Sequence, residues 1–242
     1  IAVVLVLPMQ AAGLAAFEDP ESVANPLIFI GMLLVFTLIL LLLIRFGGRR
    51  FIALFIGFAI FMTFLYIFSA LSLLALGATD AAAISTLIAA AAATALIYLY
   101  PEWYVIDILG VLISAGVASI FGVSLAILPV LVLLVLLAIY DAISVYRTKH
   151  MITLAEGVLE TKAPIMVVVP KRADYSFRRE GLNISDGEER GAFVMGMGDL
   201  IMPTILVTSS HVFVDAPAVL WTLSAPTLGA MAGSLAGLAV LL

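Results

Sequence analysis

Residues 26–46 read PLIFIGMLLVFTLILLLLIRF, a run whose one charged residue, Arg45, stands next to its end. A helix needs about 20 consecutive apolar residues to cross the hydrocarbon core of a bilayer, and this run supplies them. The pattern recurs. Apolar runs occupy residues 1–16, 26–46, 51–77, 81–100, 104–122, 123–146, 192–210 and 216–242, separated by polar breaks. The fifth and sixth meet at residues 121–123, which leaves room only for a tight turn. The expected fold is therefore an all-α polytopic membrane protein, a bundle of about eight helices.

Composition points the same way. Of 242 residues, 64% are hydrophobic and 11% are charged, and the mean hydropathy is +1.27. A soluble domain carries roughly 25% charged and 45–50% apolar residues. Too few polar side chains exist to cover a globule in water, so a soluble enzyme, a nucleic-acid binder and a disordered tail are excluded. Cysteine is absent, and His150 and His211 are the only histidines. Disulfides, thiolate nucleophiles and His-rich or thiolate metal sites are thereby excluded, and we expect neither a metal nor a cofactor.

One long hydrophilic segment, 147–191, divides the chain into a six-span part (1–146) and a two-span part (192–242). Within it, Met151, Leu154, Ala155 and Val158 are spaced as on an amphipathic surface helix over 151–161. Val167, Val168 and Val169, bounded by Pro164 and Pro170, read as a short strand. Residues 171–191 are charged and contain glycine. All 11 lysines and arginines lie either at Arg45, Arg49 and Arg50 or in the 147–190 stretch. With this span count both groups fall on one side, and Glu18, Asp19, Glu21, Asp80 and Asp215 fall on the other. The positive-inside rule makes the basic side cytoplasmic.

Three acids lie in or at the edge of the spans: Asp107, Asp141 and Asp199. An acid at the bilayer centre costs about 2.5–3.5 kcal/mol on insertion scales. Asp107 is near the polar Tyr100-Pro101-Glu102-Trp103 break and can reach the interface. Asp141 stands six residues before Arg147, and Asp199 nine residues after Arg190. At helical rise these spacings put them ~9 and ~13 Å below the same cytoplasmic surface, on helices of opposite direction. Gly196 and Gly198 would let another backbone approach, Tyr140 offers a phenol donor beside Asp141, and Pro203 loosens the helix past Asp199.

Two carboxylates in contact do not both ionise easily, so one keeps a proton. Such a pair can hydrolyse a peptide bond: the ionised member takes a proton from water while the protonated member polarises the scissile carbonyl. A proton- or cation-coupled transporter is the alternative use of the same two acids. The inverted repeats that many transporters show are not evident here.

Tyr140-Asp141 in one span and Gly196-Met197-Gly198-Asp199 in the next resemble the YD and GxGD motifs of the presenilin and signal peptide peptidase family. The small size and modest loop are most similar to the archaeal presenilin homologues. The resemblance implies an intramembrane aspartyl protease that cuts transmembrane helices of substrate proteins. Asp141 and Asp199 would be catalytic, with Tyr140, Gly196, Met197 and Gly198 as motif neighbours. By the same analogy Val167, Val168 and Val169 would pair with an unwound substrate strand. For an archaeal member the membrane would be the cell membrane, with loop 147–191 and both acids nearer its cytoplasmic face. The family also has a ninth span opened by Pro-Ala-Leu. The only similar tripeptide here, Pro226-Thr227-Leu228, lies within the 216–242 run with no polar break before it. We therefore do not expect it to be that motif, and place the ninth span beyond this chain.

The remaining features read as structural. Ser209-Ser210-His211 reads as a loop or cap, since adjacent helical residues do not face one another. Gly229, Gly233 and Gly237 form a small-residue stripe suited to packing helices, within the protein or in a homo-oligomer. Besides substrate helices the expected surroundings are membrane lipid, with no nucleic acid.

Overall fold

The computed structural model describes residues 1–46, 49–144, 166–172, 174–180 and 192–241. The amphipathic helix expected over 151–161 lies outside them. Six helices come first: α1 (Ala2–Ala11), α2 (Ala24–Phe46), α3 (Arg49–Leu76), α4 (Asp80–Leu99), α5 (Trp103–Ser124) and α6 (Ile127–Ile143). Strand β1 (Met166–Pro170) and the single turn α7 (Phe177–Glu180) follow, then β2 (Ala192–Gly196) running straight into α8 (Met197–Phe213). A hairpin of β3 (Ala218–Leu220) and β4 (Leu223–Ser224) precedes α9 (Ala225–Leu241).

Among the described residues, α2, α3, α4 and α5 are long and apolar enough to cross a membrane, while α1, α6 and α9 are shorter apolar helices. Three boundaries differ from the sequence reading. The turn between the fifth and sixth runs falls at Leu125 and Ala126, beyond residues 121–123. Residues 192–196 are extended, because their backbone pairs with β1 instead of bonding along a helix. The 216–242 run is not one helix. Its first part folds into the β3–β4 hairpin, with Trp221 at φ 55° in the turn. Pro226 is thus in the first turn of α9, where its missing N–H costs nothing.

Helix α5 is the spine. Half of its apolar window is buried, against none of α2's. It carries Gly110, Ser114, Ala115, Ala118, Ser119 and Gly122, all buried. These small residues let neighbours come close, which in lipid is what holds helices together. A Cβ on Gly110 would meet Met197 of α8, one on Gly116 would meet Ile67 of α3, and one on Gly122 would meet Thr208 of α8. The Gly110–Met197 and Gly122–Thr208 contacts advance together along both chains, so α5 and α8 run parallel.

Polar side chains reinforce the same helix. Ser119 Oγ donates to the Ala2 carbonyl of α1 at 2.7 Å, and Thr208 Oγ1 donates to the Ala118 carbonyl at 3.0 Å. Ser209 Oγ donates to the Leu125 carbonyl at 2.7 Å. That bond joins the far end of α8 to the start of α6 and fixes these two helices as antiparallel. Ser209, Ser210 and His211, expected as a loop or cap, lie instead within α8, where Ser209 serves as a buried tie between helices. A second apolar layer unites α3 with α4 through Ile56, Ile60, Phe64, Ala90, Ala93 and Ile97. Along α2, by contrast, Leu27, Met32, Phe36 and Leu42 are exposed, as suits a helix turned to acyl chains.

The close α5–α8 approach yields a direct test. Gly122→Val drives an isopropyl group into Thr208, so it should lower stability by ~1–3 kcal/mol, read as a lower Tm in detergent. Gly31→Ala, where an added Cβ finds nothing within 4 Å, should leave Tm unchanged or raise it.

Candidate active site

Helix α6 buries Val130, Leu133 and Leu137 on one side. Asp141 is in its last turn, two residues before Ile143, and the Ser144 N–H closes the helix on the Tyr140 and Asp141 carbonyls. The Asp141 side chain is exposed and that of Tyr140 half-buried.

Helix α8 begins where β2 ends. Gly196 is its N-cap, at φ −66° and ψ 140°, and Asp199 lies in the first turn. The depth expected for Asp199 from helical rise after Arg190 therefore does not hold, because residues 192–196 are strand. Met197 is buried against Gly110, which pins the helix start to α5. An added Cβ on Gly196 would stand 3.4 Å from Asp199 Oδ2, while one on Gly198 would find nothing within 4 Å. The chain beside Asp199 is thus open on the Gly198 side.

Asp141 and Asp199 lie at the same end of the bundle. Helices α6 and α8 pack antiparallel, so the end of one lies by the start of the other. Asp199, in the first turn of α8, stands at a helix N-terminus, where negative charge is favoured. Pro226-Thr227-Leu228 opens α9 beyond the opposite end of α8. Seventeen residues of α8 put that tripeptide ~20 Å or more from Asp199, so it takes no part in this site.

The valines lie close by, but not as a vacant strand. Val167, Val168 and Val169 of β1 pair antiparallel with Met195, Val194 and Phe193 of β2. The Val168 N–H donates to Asp107 Oδ1 of α5 at 2.8 Å. In an antiparallel ladder, backbone groups of alternate residues point to opposite edges. Val168 therefore faces away from β2, as does its partner Val194 from β1. The outward N–H of β1 at Val168 is taken, whereas Ala192, Val194 and Gly196 present the outer edge of β2.

The sheet is seated on the first turns of α5. Val168, Tyr175, Phe177 and Ala192 pack on Ile106, with Trp103 against them. Ser176 Oγ donates to Glu102 Oε1 at 2.8 Å. Lys171 Nζ lies 4.7 Å from the centre of the Phe193 ring, a cation–π distance. Sequence reasoning treated Asp107 as an interfacial acid and missed its bond to β1. An acid just inside a span, opposite a predicted strand with donors to satisfy, was the available signal. At Gly229, Gly233 and Gly237 an added Cβ would meet nothing within 4 Å, so the stripe packs on no described neighbour.

The whole chain, residues 1–242, matches the family described as signal-peptide peptidase, presenilin aspartyl protease. Two solved structures of a presenilin family intramembrane aspartate protease, in space groups C222 and P2, are each 68% identical to it. The first superposes with a TM-score of 0.69 and the second with 0.70. The match covers 99% of this chain in both, and 81% and 79% of theirs. No curated protein sequence matches.

The open space beside Asp199 generates a prediction. Gly198→Ala adds a methyl group where nothing is displaced and replaces a poor helix former, so stability should stay within ~1 kcal/mol of the parent. If that space receives substrate, kcat/KM should nevertheless fall. Normal turnover at unchanged Tm would show that the space is not used.

Proposed function

The chain belongs to the signal-peptide peptidase and presenilin family of intramembrane aspartyl proteases, and from that membership we propose that Asp141 and Asp199 are the two acids that carry its peptide hydrolysis. The observation that supports them is their place at the same end of two packed antiparallel helices. The protein is an integral membrane enzyme, and its substrates are transmembrane helices of other proteins. Following the basic residues, both acids and the 147–191 segment sit nearer the cytoplasmic face.

The chemistry follows from one proton shared by two carboxylates. The helix N-terminus at the α8 start favours negative charge on Asp199, which leaves the shared proton on Asp141. Asp199 takes a proton from water, and the oxygen attacks the scissile carbonyl carbon. Asp141 gives its proton to the carbonyl oxygen, forming a neutral tetrahedral diol. Asp199 then returns a proton to the amide nitrogen, Asp141 takes one from the diol, and the C–N bond breaks. The pair ends as it began, with one proton.

A helix shields its peptide bonds, so the substrate must be extended where it is cut. The outer edge of β2 offers backbone partners at Ala192, Val194 and Gly196, three residues from Asp199 at the nearest. An unwound substrate segment added there would lie beside the acids. In this arrangement Val167, Val168 and Val169 back the sheet from its other side, and Tyr140, Gly196, Met197 and Gly198 shape the surroundings of the pair.

Reconstituted with a helical membrane substrate and read by mass spectrometry of the products, Asp141→Ala and Asp199→Ala should each reduce cleavage to background. The double variant should be no worse, since the acids act as a unit. The rate should be bell-shaped in pH: below the optimum both acids hold protons and none accepts from water, and above it none can donate. Full activity in either single variant would refute the assignment.

A further inference from the structure

We propose that Asp107 is a positioning residue for this proteolysis: its carboxylate caps the outward Val168 N–H of β1, fixing the sheet to α5 so that it lengthens only at β2, beside Asp199. The proposal rests on the reading of Asp141 and Asp199 as the reacting pair.

Three observations carry it. First, Asp107 is the fifth residue of α5, half-buried at the membrane edge, and among the described residues its one hydrogen bond is the 2.8 Å bond from Val168 N–H. An ionisable group so placed is costly to insert, and an apolar side chain would serve packing better. Second, the bond falls on the edge of β1 that β2 does not use. An unpaired edge donor invites another strand, and a substrate paired there would have β2 between it and Asp199. Third, the sheet is continuous with the acid: Val168 pairs with Val194, and Asp199 follows five residues later. Glu102, through Ser176, ties the following segment to the same end of α5, so Asp107 sets where the strand lies along the helix.

The bond also explains register. Strand pairs slip in steps of two residues if the same faces are to stay buried. A side chain bonded to one particular backbone N–H opposes that slip, as apolar contacts with Val168 alone do not. Loss of the bond should therefore alter where substrate is cut, as well as how fast.

The test uses the full chain in lipid with a helical substrate. Asp107→Ala should spread cleavage to positions two residues from the parental site and raise KM several-fold. Asp107→Asn, which keeps an oxygen able to accept from Val168 N–H, should restore the parental site. Val168→Pro removes the same bond from the other partner on an edge that tolerates proline. It should reproduce the spread, and combining it with Asp107→Ala should add nothing. Independently of turnover, amide exchange at Val168 in an Asp199→Ala background should quicken about tenfold with Asp107→Ala and return with Asp107→Asn. Unchanged cut positions and exchange in Asp107→Ala would overturn the proposal, as would an Asp107→Asn as defective as the alanine variant. Failure of the Asp141–Asp199 assignment is separable, since it appears as cleavage surviving loss of either acid and leaves the exchange result untouched.

Discussion

The approach of α8 to α5 governs the molecule. Lipid tails are as apolar as leucine, so no hydrophobic force drives these helices together once they are in the bilayer. What holds them is surface fit, and α5 supplies it with glycine, alanine and serine at each crossing. Gly110 receives Met197 and Gly122 receives Thr208. Met197 is two residues from Asp199, so the closeness of the helices decides where that carboxylate stands. The Thr208 and Ser209 bonds to backbone carbonyls at the other end prevent α8 from sliding. The position of Asp141 follows in turn, because α6 is held to the same helix.

The sheet raises a different constraint. A strand near a membrane must satisfy its backbone groups without the help of a helix. β1 pairs with β2 on one side, and on the other its Val168 N–H donates to the Asp107 carboxylate. Its apolar face finds Ile106 and Trp103. The strands are therefore part of the bundle, anchored at the end of α5. Their placement puts extended backbone at the end of the bundle that carries Asp141 and Asp199.

Much of this was legible in the sequence, for identifiable reasons. The apolar runs are long and their breaks sharp, so the helices and their order follow from hydropathy alone. The basic residues divide cleanly, which puts Asp141 and Asp199 at a common end before any packing is known. The strand at 166–170 showed itself through β-branched residues between prolines. Its partner did not: Ala192-Phe193-Val194-Met195-Gly196 is apolar enough to continue the following helix, and only pairing with β1 makes it extended. The β3–β4 hairpin was hidden likewise, since Ala218-Val219-Leu220 carries no polar signal. Asp107 looked like an acid at an interface because its partner is a backbone N–H more than sixty positions away, and the predicted strand showed that donors needed partners but not which acid would meet them.

The passage from β2 to α8 through Gly196 has a mechanical consequence. Strand and carboxylate form one short lever with no slack between them. One step of slippage along a ladder displaces a strand by ~7 Å, more than the span of a hydrogen bond between two acids. The hinge at that glycine therefore tolerates almost no error, and the position of Asp199 is gauged by the strand that leads into it.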